Sequence, residues 1–203
     1  MKHLFGVLLY LLTFVSQGQD YNDLRKQLEK VHTEDQKYRL QADSIVKTFG
    51  RQSDQFKNLV NVIDQKDSIN KIIVTHILDN YGWIGEKEIG GIANATLFLV
   101  IQHSELITQE KYLPMMRIAV KDGKAKGSDL ALLEDRVALG QGKKQIYGSQ
   151  IRRDKTTGQY YVRALEDPEN VDVRRKSVGL EPLAEYVKFW NINWDPKTYQ
   201  VKD

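Results

Sequence analysis

The sequence predicts a mainly helical α+β protein, a bundle-like single domain with one β-hairpin in its C-terminal half. Apolar residues recur every three or four positions through most of the chain before Gly140, and two β-prone runs follow them. The chain has no cysteine, yet residues 19–203 are long enough to bury one core without disulfides. A helical bundle with a hairpin over one edge or mouth is therefore the expected architecture.

The first eighteen residues are typical of a bacterial signal peptide. A short basic start, Met1-Lys2-His3, precedes an apolar run from Leu4 to Val15, which is shorter than the ~20 residues that span a bilayer. Ser16 and Gly18 are the small residues expected three and one positions before the cut. We therefore expect residues 1–18 to be a removed signal, and the protein to be exported, soluble, and periplasmic or secreted.

The net charge of the chain indicates which classes of binding partner to expect. The formal net charge is +3, and loss of Lys2 with the signal leaves +2 on residues 19–203. A nearly neutral chain does not predict the clustered basic surface that nucleic acid requires. We expect no nucleic-acid partner and no membrane span after signal removal. The expected partner is a small molecule or an envelope component.

Residues 19–80 are predicted to form a long helical hairpin. Apolar positions advance by threes and fours from Tyr21 to Phe49, as one helix stripe does. Ser53 or Asp54 is expected to cap a second helix, which stops near Gly82, where glycine suits a left-handed residue. Because the link between them is short, the two helices are expected to pack antiparallel.

Residues 81–203 are predicted to contain the core helices and the β-hairpin. The segment Ile92–Ile101 is apolar on nearly every side, which is typical of a helix buried all round. Helices are also expected over Thr108–Val120, where Pro114 must bend or restart the helix, and over Ser128–Leu139.

Two β-prone runs, Gln145–Ile151 and Gln159–Leu165, are expected to pair as the hairpin. A helix from Pro168 to Gly179 and a short one from Pro182 through Trp190 complete the chain. Strand alternation would place Gln145, Tyr147 and Ser149 on one side of the hairpin and Gly148 and Gln150 on the other.

Several polar residues lie where the helix periodicity calls for apolar ones. Asp35 interrupts the first stripe, with Gln36 beside it and Arg39 one turn later as a ready partner. His103 ends the apolar helix that begins at Ile92, at the rim of the core, where an imidazole can exchange a proton.

Later elements carry further polar residues of this kind. Asp135 is flanked one turn away by the small residues Ala131 and Ala138, and Arg136 follows it on the same helix. Arg174 and Arg175 lie between Val171 and Val178, so at least one guanidinium is expected to point inward.

Two interpretations of these residues stay open. In one, Asp35 with Arg39, and Asp135 with Arg174 or Arg175, are internal ion pairs that fix how helices dock. In the other, the polar residues converge on one pocket that binds an anionic group and moves a proton. Its catalytic residues would be His103, Asp35 and Asp135, and its ligand-binding residues would be Gln36, Arg39, Arg136, Gln145, Tyr147, Gln150, Arg174 and Arg175.

Standard catalytic and cofactor motifs are missing from the sequence, which has no HExxH, GxSxG, GxxxxGK[ST] or GxGxxG pattern. We therefore predict no cofactor. His32, His76 and His103 are far apart in sequence, and no metal site is predicted.

Six segments follow one another in an order that points to a bacterial family. They are Asp35-Gln36-Lys37-Tyr38-Arg39, Gly82-Trp83, Gln102-His103, Asp135-Arg136, Gln145-Ile146-Tyr147-Gly148-Ser149-Gln150 and Arg174-Arg175-Lys176-Ser177-Val178-Gly179-Leu180. With them, the chain resembles domain-of-unknown-function family 6624 from about Asp35 to Tyr186, although Ser149 stands where threonine is expected. The resemblance implies a shared fold and a pocket built from these polar residues, and it implies no particular reaction.

Three functions are compatible with this sequence. The first is a hydrolase or transferase with His103 as base, Asp35 or Asp135 orienting it, and Arg136 or Arg39 steadying an anion. The second is a non-catalytic module that binds a small anionic ligand, a peptide or a cell-wall fragment. The third is a scaffold in which the polar residues only dock helices.

Overall fold

The computed structural model describes the backbone of residues 2–201 and the side chains of residues 20–201. The expected signal peptide therefore lies outside the residues whose side chains are described. By its internal contacts the chain forms two compact units, residues 1–104 and residues 105–203. The prediction of a single domain stays a prediction.

Unit 1 is entirely helical in its described part. It contains α1 (Lys2–Arg39), α2 (Ala42–Phe49), α3 (Asp54–Tyr81), α4 (Glu86–Ile89) and α5 (Gly91–His103). The apolar α5 packs against α1 and α3, and its buried residues include Leu97 and Ile101. This confirms the core helix expected over Ile92–Ile101, although Ile92 at its start is exposed and the helix belongs to unit 1.

The first helix ends ten residues earlier than predicted, at Arg39 and not at Phe49, and a turn at Leu40 and Gln41 separates it from α2. The backbone N–H of Gln41 donates to the carbonyl of Tyr38, which is the tighter bond of a closing helix turn. The residues of α2 repeat at helical spacing, but none of them is buried. The periodic apolar residues of this segment predicted a helix correctly, but they did not show that a turn separates it from α1.

The start and end of α3 follow the predicted chemistry. Ser53 has an extended backbone, and its hydroxyl accepts the N–H of Phe56, as an N-cap does. Gly82 follows the last residue with φ of +69°, a value that glycine adopts without strain.

Unit 2 begins with α6 (Leu106–Lys121) and α7 (Gly127–Gly140), which pack together. Pro114 lies inside α6, which continues for two further turns. The rest of the unit contains β1 (Ile151–Arg153), β2 (Tyr160–Val162), a 3-10 turn (Pro168–Asn170), α8 (Val171–Ser177), α9 (Leu183–Val187) and a second 3-10 turn (Lys188–Trp190).

The hairpin is confirmed but is shorter than predicted. Strands β1 and β2 are antiparallel, and Ile151 lies opposite Val162. The segment from Ile146 to Gln150 is a loop, and Gln145 makes only an isolated parallel bridge with Leu165. The expected alternation of side chains along 145–150 is therefore wrong.

A second apolar cluster holds the C-terminal part of unit 2 together. Val162, Leu165, Val171, Leu183 and Val187 are buried in it. Across the described residues, no helix is both long enough and apolar enough to cross a membrane.

Candidate functional site

Asp35 is the central residue of the polar cluster in unit 1. It lies on the buried face of α1, and its Oδ1 is 3.1 Å from Nδ1 of His103, the last residue of α5. Its Oδ2 accepts a hydrogen bond from Nε2 of Gln36 at 2.7 Å and lies 3.4 Å from Nε of Arg39, one helical turn later. The predicted pair of Asp35 and Arg39 is confirmed, and His103 joins it.

The charged form of Asp35 is favoured despite its burial. Burial by itself raises the pKa of this carboxyl, but the hydrogen bond from His103 and the positive charges of His103 and Arg39 more than offset it. The net result is a pKa below the ordinary range of an aspartate. A buried anion therefore lies directly beside the imidazole.

The second ring nitrogen of His103 is free. Nδ1 contacts Asp35, whereas Nε2 makes no hydrogen bond with any residue in the described part of the chain. The side chain keeps 18% exposure, and Nε2 is not one of the buried polar atoms without a partner. A carboxylate on one ring nitrogen orients the ring and directs the other nitrogen to where a substrate can reach it.

Asp67 of α3 completes this cluster and was not predicted. Its Oδ1 lies 2.5 Å from Nη2 of Arg39, so one guanidinium joins two carboxylates from different helices. Asp67 is three residues before Asn70 and seven before Val74, and both of these are buried on the same face of α3. The rule that singled out Asp35, a charge on an apolar stripe, would also have found Asp67.

The same residues offer a possible set of metal ligands. One ligand atom from each of Asp35, Asp67 and His103 lies within 4.8 Å of the others. Arg39 already occupies the position between the two carboxylates, and its guanidinium supplies the positive charge that a cation would bring. A divalent ion would have to displace Arg39, so the contacts fit an ion-pair network better than a metal centre.

Asp135 has a different role in unit 2. It is fully buried on α7, and its carboxylate accepts three backbone N–H groups, from Ile146 at 2.6 Å, Tyr147 at 2.9 Å and Ser149 at 2.8 Å. Burial raises the pKa of Asp135, and these three hydrogen bonds oppose that rise only in part. Its oxygens are committed to shaping the loop from Ile146 to Gln150.

Two arginines of α8 hold the other side of this loop. Arg174 donates through Nε to the carbonyl of Ile146, and the buried Arg175 donates through Nη1 to the carbonyl of Tyr147 at 2.7 Å. The guanidinium of Arg175 also lies over the ring of Tyr186, 4.9 Å from its centroid. The expected inward guanidinium is confirmed, but the expected ion pair with Asp135 is not observed among the described residues.

The amides that were predicted to bind a ligand also contact backbone. Nε2 of Gln145 donates to the carbonyls of Gln150 and Arg163, and its Oε1 accepts the N–H of Gln150. The side chain of Gln150 donates to Oγ of Ser149. These side chains close the loop on itself.

Three further residues named from the sequence lie in this loop or on the helix before it. The hydroxyl of Tyr147 donates to Glu134 at 3.4 Å. Gly148 has φ of +74°, and a Cβ at this position would lie 2.9 Å from the side chain of Leu183, so glycine permits the close approach of α9. Arg136 is half-buried on α7, and its charge acts on Tyr186 by lowering the pKa of that hydroxyl, which burial raises.

The predicted site residues thus fall into two clusters. Unit 1 brings together Asp35, Gln36, Arg39 and His103, and unit 2 contains Asp135, Arg136, Gln145, Tyr147, Gln150, Arg174 and Arg175. A common pocket for both clusters stays a prediction.

Comparison with known protein families places the chain in a family of unknown function. The model of the family of unknown function DUF6624 matches residues 18–199, and the protein belongs to that family. This confirms the resemblance seen in the sequence. No curated protein and no solved structure gives a significant match.

Proposed function

We propose that the protein is an exported enzyme of the hydrolase or transferase class in which His103 acts as the general base. The observation that carries the proposal is the 3.1 Å contact between Nδ1 of His103 and the buried carboxylate of Asp35, with Nε2 left unbonded. Nε2 takes a proton from water or from an acceptor hydroxyl as its oxygen attacks the substrate, and returns that proton to the leaving group.

Asp35 and Arg39 have separate tasks in this proposal. Asp35 selects the tautomer of His103 that carries its proton on Nδ1, and it stabilises the imidazolium that forms during the reaction. Nη2 of Arg39 donates to Asp67, and its Nε lies 3.4 Å from Oδ2 of Asp35 without forming a hydrogen bond, while its Nη1 also makes no hydrogen bond within the described chain. That group can donate to an anionic oxygen of the substrate.

The test separates the chemistry of His103 from its contribution to helix docking. His103→Asn keeps a side-chain N–H near the position of Nδ1 and removes Nε2, whereas His103→Ala removes both. We expect His103→Asn to unfold within about 1 kcal/mol of the wild type, since one hydrogen bond is worth about that much. Its turnover should fall about 10²–10⁴-fold, the contribution of a general base.

The assay is a panel of chromogenic carboxylic esters, phosphoesters and glycosides, with product analysis for every compound that is consumed. His76→Asn is the matched control, because His76 is an exposed histidine that bonds only to Asn80 on its own helix. If His103→Asn hydrolyses the panel as fast as the wild type, His103 is a docking residue and the catalytic proposal is wrong.

A non-catalytic binding module is the second candidate, and it is supported by the same two free nitrogens. Nη1 of Arg39 can donate to a small anion, and Nε2 of His103 can accept a hydrogen bond from a hydroxyl group of the same ligand, because both side chains contact the carboxylate of Asp35. A thermal-shift screen of phosphate, acetate and short anionic peptides tests this candidate. Ligands that stabilise the wild type and are recovered chemically unchanged would favour binding over catalysis.

We also propose that the protein is exported to the periplasm or the medium. The support is the basic start and apolar run of residues 1–18. N-terminal sequencing of the protein from the periplasmic fraction should find Gln19 as the first residue. A cytoplasmic product that begins at Met1 would contradict export.

A further inference from the structure

Two adjoining cavities of unit 2 form a cleft between β2 and the segment 190–200, named here the hairpin cleft. Their volumes are about 230 and 560 Å³, and both are lined by Tyr160, Ile192 and Asn193. None of the described residues that contact Asp135 or His103 lines the hairpin cleft. It is therefore a separate feature of the molecule.

Much of the lining of the hairpin cleft is aromatic, and the aromatic rings are held in place by their neighbours. Tyr160, Trp190, Trp194 and Tyr199 line it, and each is partly exposed. The rings of Trp194 and Tyr199 lie 5.2 Å apart, and both side chains pack against the apolar cluster of unit 2. The hydroxyl of Tyr199 donates to the carbonyl of Arg163, so the position of this ring is fixed before any ligand arrives.

Trp190 is held in a similar way at the other end of the cleft. Its ring is in edge contact with the ring of Tyr186 at 5.2 Å between centroids, and Tyr186 itself donates to the carbonyl of Ser149. Aromatic surfaces that are both rigid and partly exposed suit a ligand with flat apolar faces.

Uncommitted amide side chains lie around these rings. Gln159, Asn191, Asn193 and Gln200 line the cleft and are exposed, and none of their side chains makes a hydrogen bond within the described chain. This differs from Gln145 and Gln150, whose amides are committed to the loop around Asp135. An amide both donates and accepts hydrogen bonds, as the hydroxyl group of a ligand also does.

The charge of the cleft narrows the class of ligand. Among its described lining residues Asp195 is the only charged one, and its carboxylate accepts the backbone N–H of Lys197 at 3.0 Å. No cation of the described lining can bind an anionic ligand, and the carboxylate of Asp195, which keeps its charge, can accept a further hydrogen bond from a hydroxyl group. The lining therefore suits a neutral molecule with hydroxyl groups.

We infer that the hairpin cleft binds a neutral oligosaccharide, with sugar rings against the aromatic side chains and hydroxyl groups on the amides. A sugar ring presents C–H groups on its faces and hydroxyl groups at its edge, which matches rings and amides arranged in one concavity. This inference stands apart from the proposed catalytic role of His103. A proline-rich peptide, which also uses aromatic grooves, is the competing ligand.

The experiment titrates the protein, residues 19–203, with tetrasaccharides of N-acetylglucosamine, glucose and mannose, and follows binding by tryptophan fluorescence and by calorimetry. We expect saturable binding of at least one of the three. Trp190→Ala and Asn193→Ala should each weaken that binding about tenfold, since an aromatic contact or a hydrogen bond is worth about 1.4 kcal/mol or somewhat less. Phe49→Ala is the control, because Phe49 is an exposed aromatic residue of α2 that does not line the cleft.

Asn193→Ala keeps the test decisive if Trp190→Ala fails to fold, because Asn193 is exposed and has no side-chain partner to lose. Absence of saturable binding to all three tetrasaccharides would overturn the inference. So would binding that is unaffected by Asn193→Ala in a variant with the wild-type melting temperature, or binding of a proline-rich peptide alone. The titration measures binding and the turnover panel measures chemistry, so the two proposals fail separately.

Discussion

The two buried aspartates of this protein show how one residue type serves two purposes. Asp35 of unit 1 contacts side chains, namely His103, Gln36 and Arg39, and the histidine and the arginine each keep a nitrogen with no partner in the described chain. Asp135 of unit 2 accepts only hydrogen bonds that shape the loop from Ile146 to Gln150. A carboxylate that contacts titratable or charged side chains can take part in a reaction through them, whereas one that accepts backbone N–H groups fixes the conformation of a loop.

Their pKa values move in opposite directions because the two buried carboxyls have different surroundings. Both carboxyls are buried, and burial raises the pKa of each. His103 and Arg39 lower the pKa of Asp35 overall, whereas the backbone N–H groups around Asp135 do not offset its burial. The comparison can be tested by removing each carboxylate or its surroundings in turn.

The largest effect is expected for Asp135→Ala. The substitution leaves three N–H groups in a buried position without their acceptor, and each unsatisfied group costs about 1–3 kcal/mol. We expect a loss of about 3–5 kcal/mol in the free energy of unfolding, measured by urea denaturation. Asp54→Ala is the control, because the side chain of Asp54 is 89% exposed and its ion pair with Lys57 is worth less than about 1 kcal/mol. Similar losses in both variants would show that Asp135 does not organise the loop.

An intermediate effect is expected for Gly148→Ala, which tests the loop from its other side. The added Cβ would lie 2.9 Å from Cδ2 of the buried Leu183, and φ of +74° is unfavourable for alanine. We expect a loss of about 2–3 kcal/mol, from backbone strain together with overpacking.

Gly142→Ala separates these two contributions, since φ there is +72° and its Cβ would have no neighbour within 4 Å. Gly142→Ala should therefore lose only about 1 kcal/mol of strain in the same urea experiment. Equal losses in the two variants would mean that the contact with Leu183 is not tight.

The smallest effect is expected in the pH dependence of stability, and it tests Asp35. Because the pKa of Asp35 is lowered in the folded state, the unfolded state binds more protons as pH falls below about 4. The stabilisation by Asp35 is therefore present above that pH and is lost as pH falls through the lower folded-state pKa. The difference in unfolding free energy between the wild type and Asp35→Asn should shrink between about pH 5 and pH 2.

Asp54→Asn is the control for that measurement, since Asp54 is exposed and should change stability little at any of these pH values. A difference between wild type and Asp35→Asn that stays constant down to pH 2, or that grows on acidification, would contradict the ion-pair network around Asp35.

Periodicity and end signals were sufficient for most of the helices. Ser53 and Gly82 bound α3 as their chemistry predicts, and the apolar segment after Ile92 is a core helix. The turn at Leu40 was missed because the stripe continues through Ala42–Phe49, a short helix with no buried residue. Periodicity reports which face a helix presents and does not report whether its axis continues straight.

The candidate site was predicted in part. Asp35, Arg39 and His103 were identified as polar residues on apolar surfaces, and they meet. Only Ile151 of the strand predicted over Gln145–Ile151 lies in a strand, because Ile146, Tyr147 and Ser149 donate their backbone N–H groups to the carboxylate of Asp135 and not to a neighbouring strand. The amides expected to bind a ligand there are committed to the loop, while the exposed amides of the hairpin cleft carried no sequence pattern.

The sequence alone determined which segments are helical, where α3 begins and ends, which faces are apolar, and that Asp35 and Asp135 had to be buried, because these properties depend on neighbours within a few positions. The tertiary structure alone decided the partners. Asp35 and His103 are 68 residues apart, and the N–H groups that Asp135 accepts are present in every residue except proline, so neither contact has a local signature. A buried aspartate therefore contacts a histidine in unit 1, whereas in unit 2 another buried aspartate accepts the backbone N–H groups of a loop.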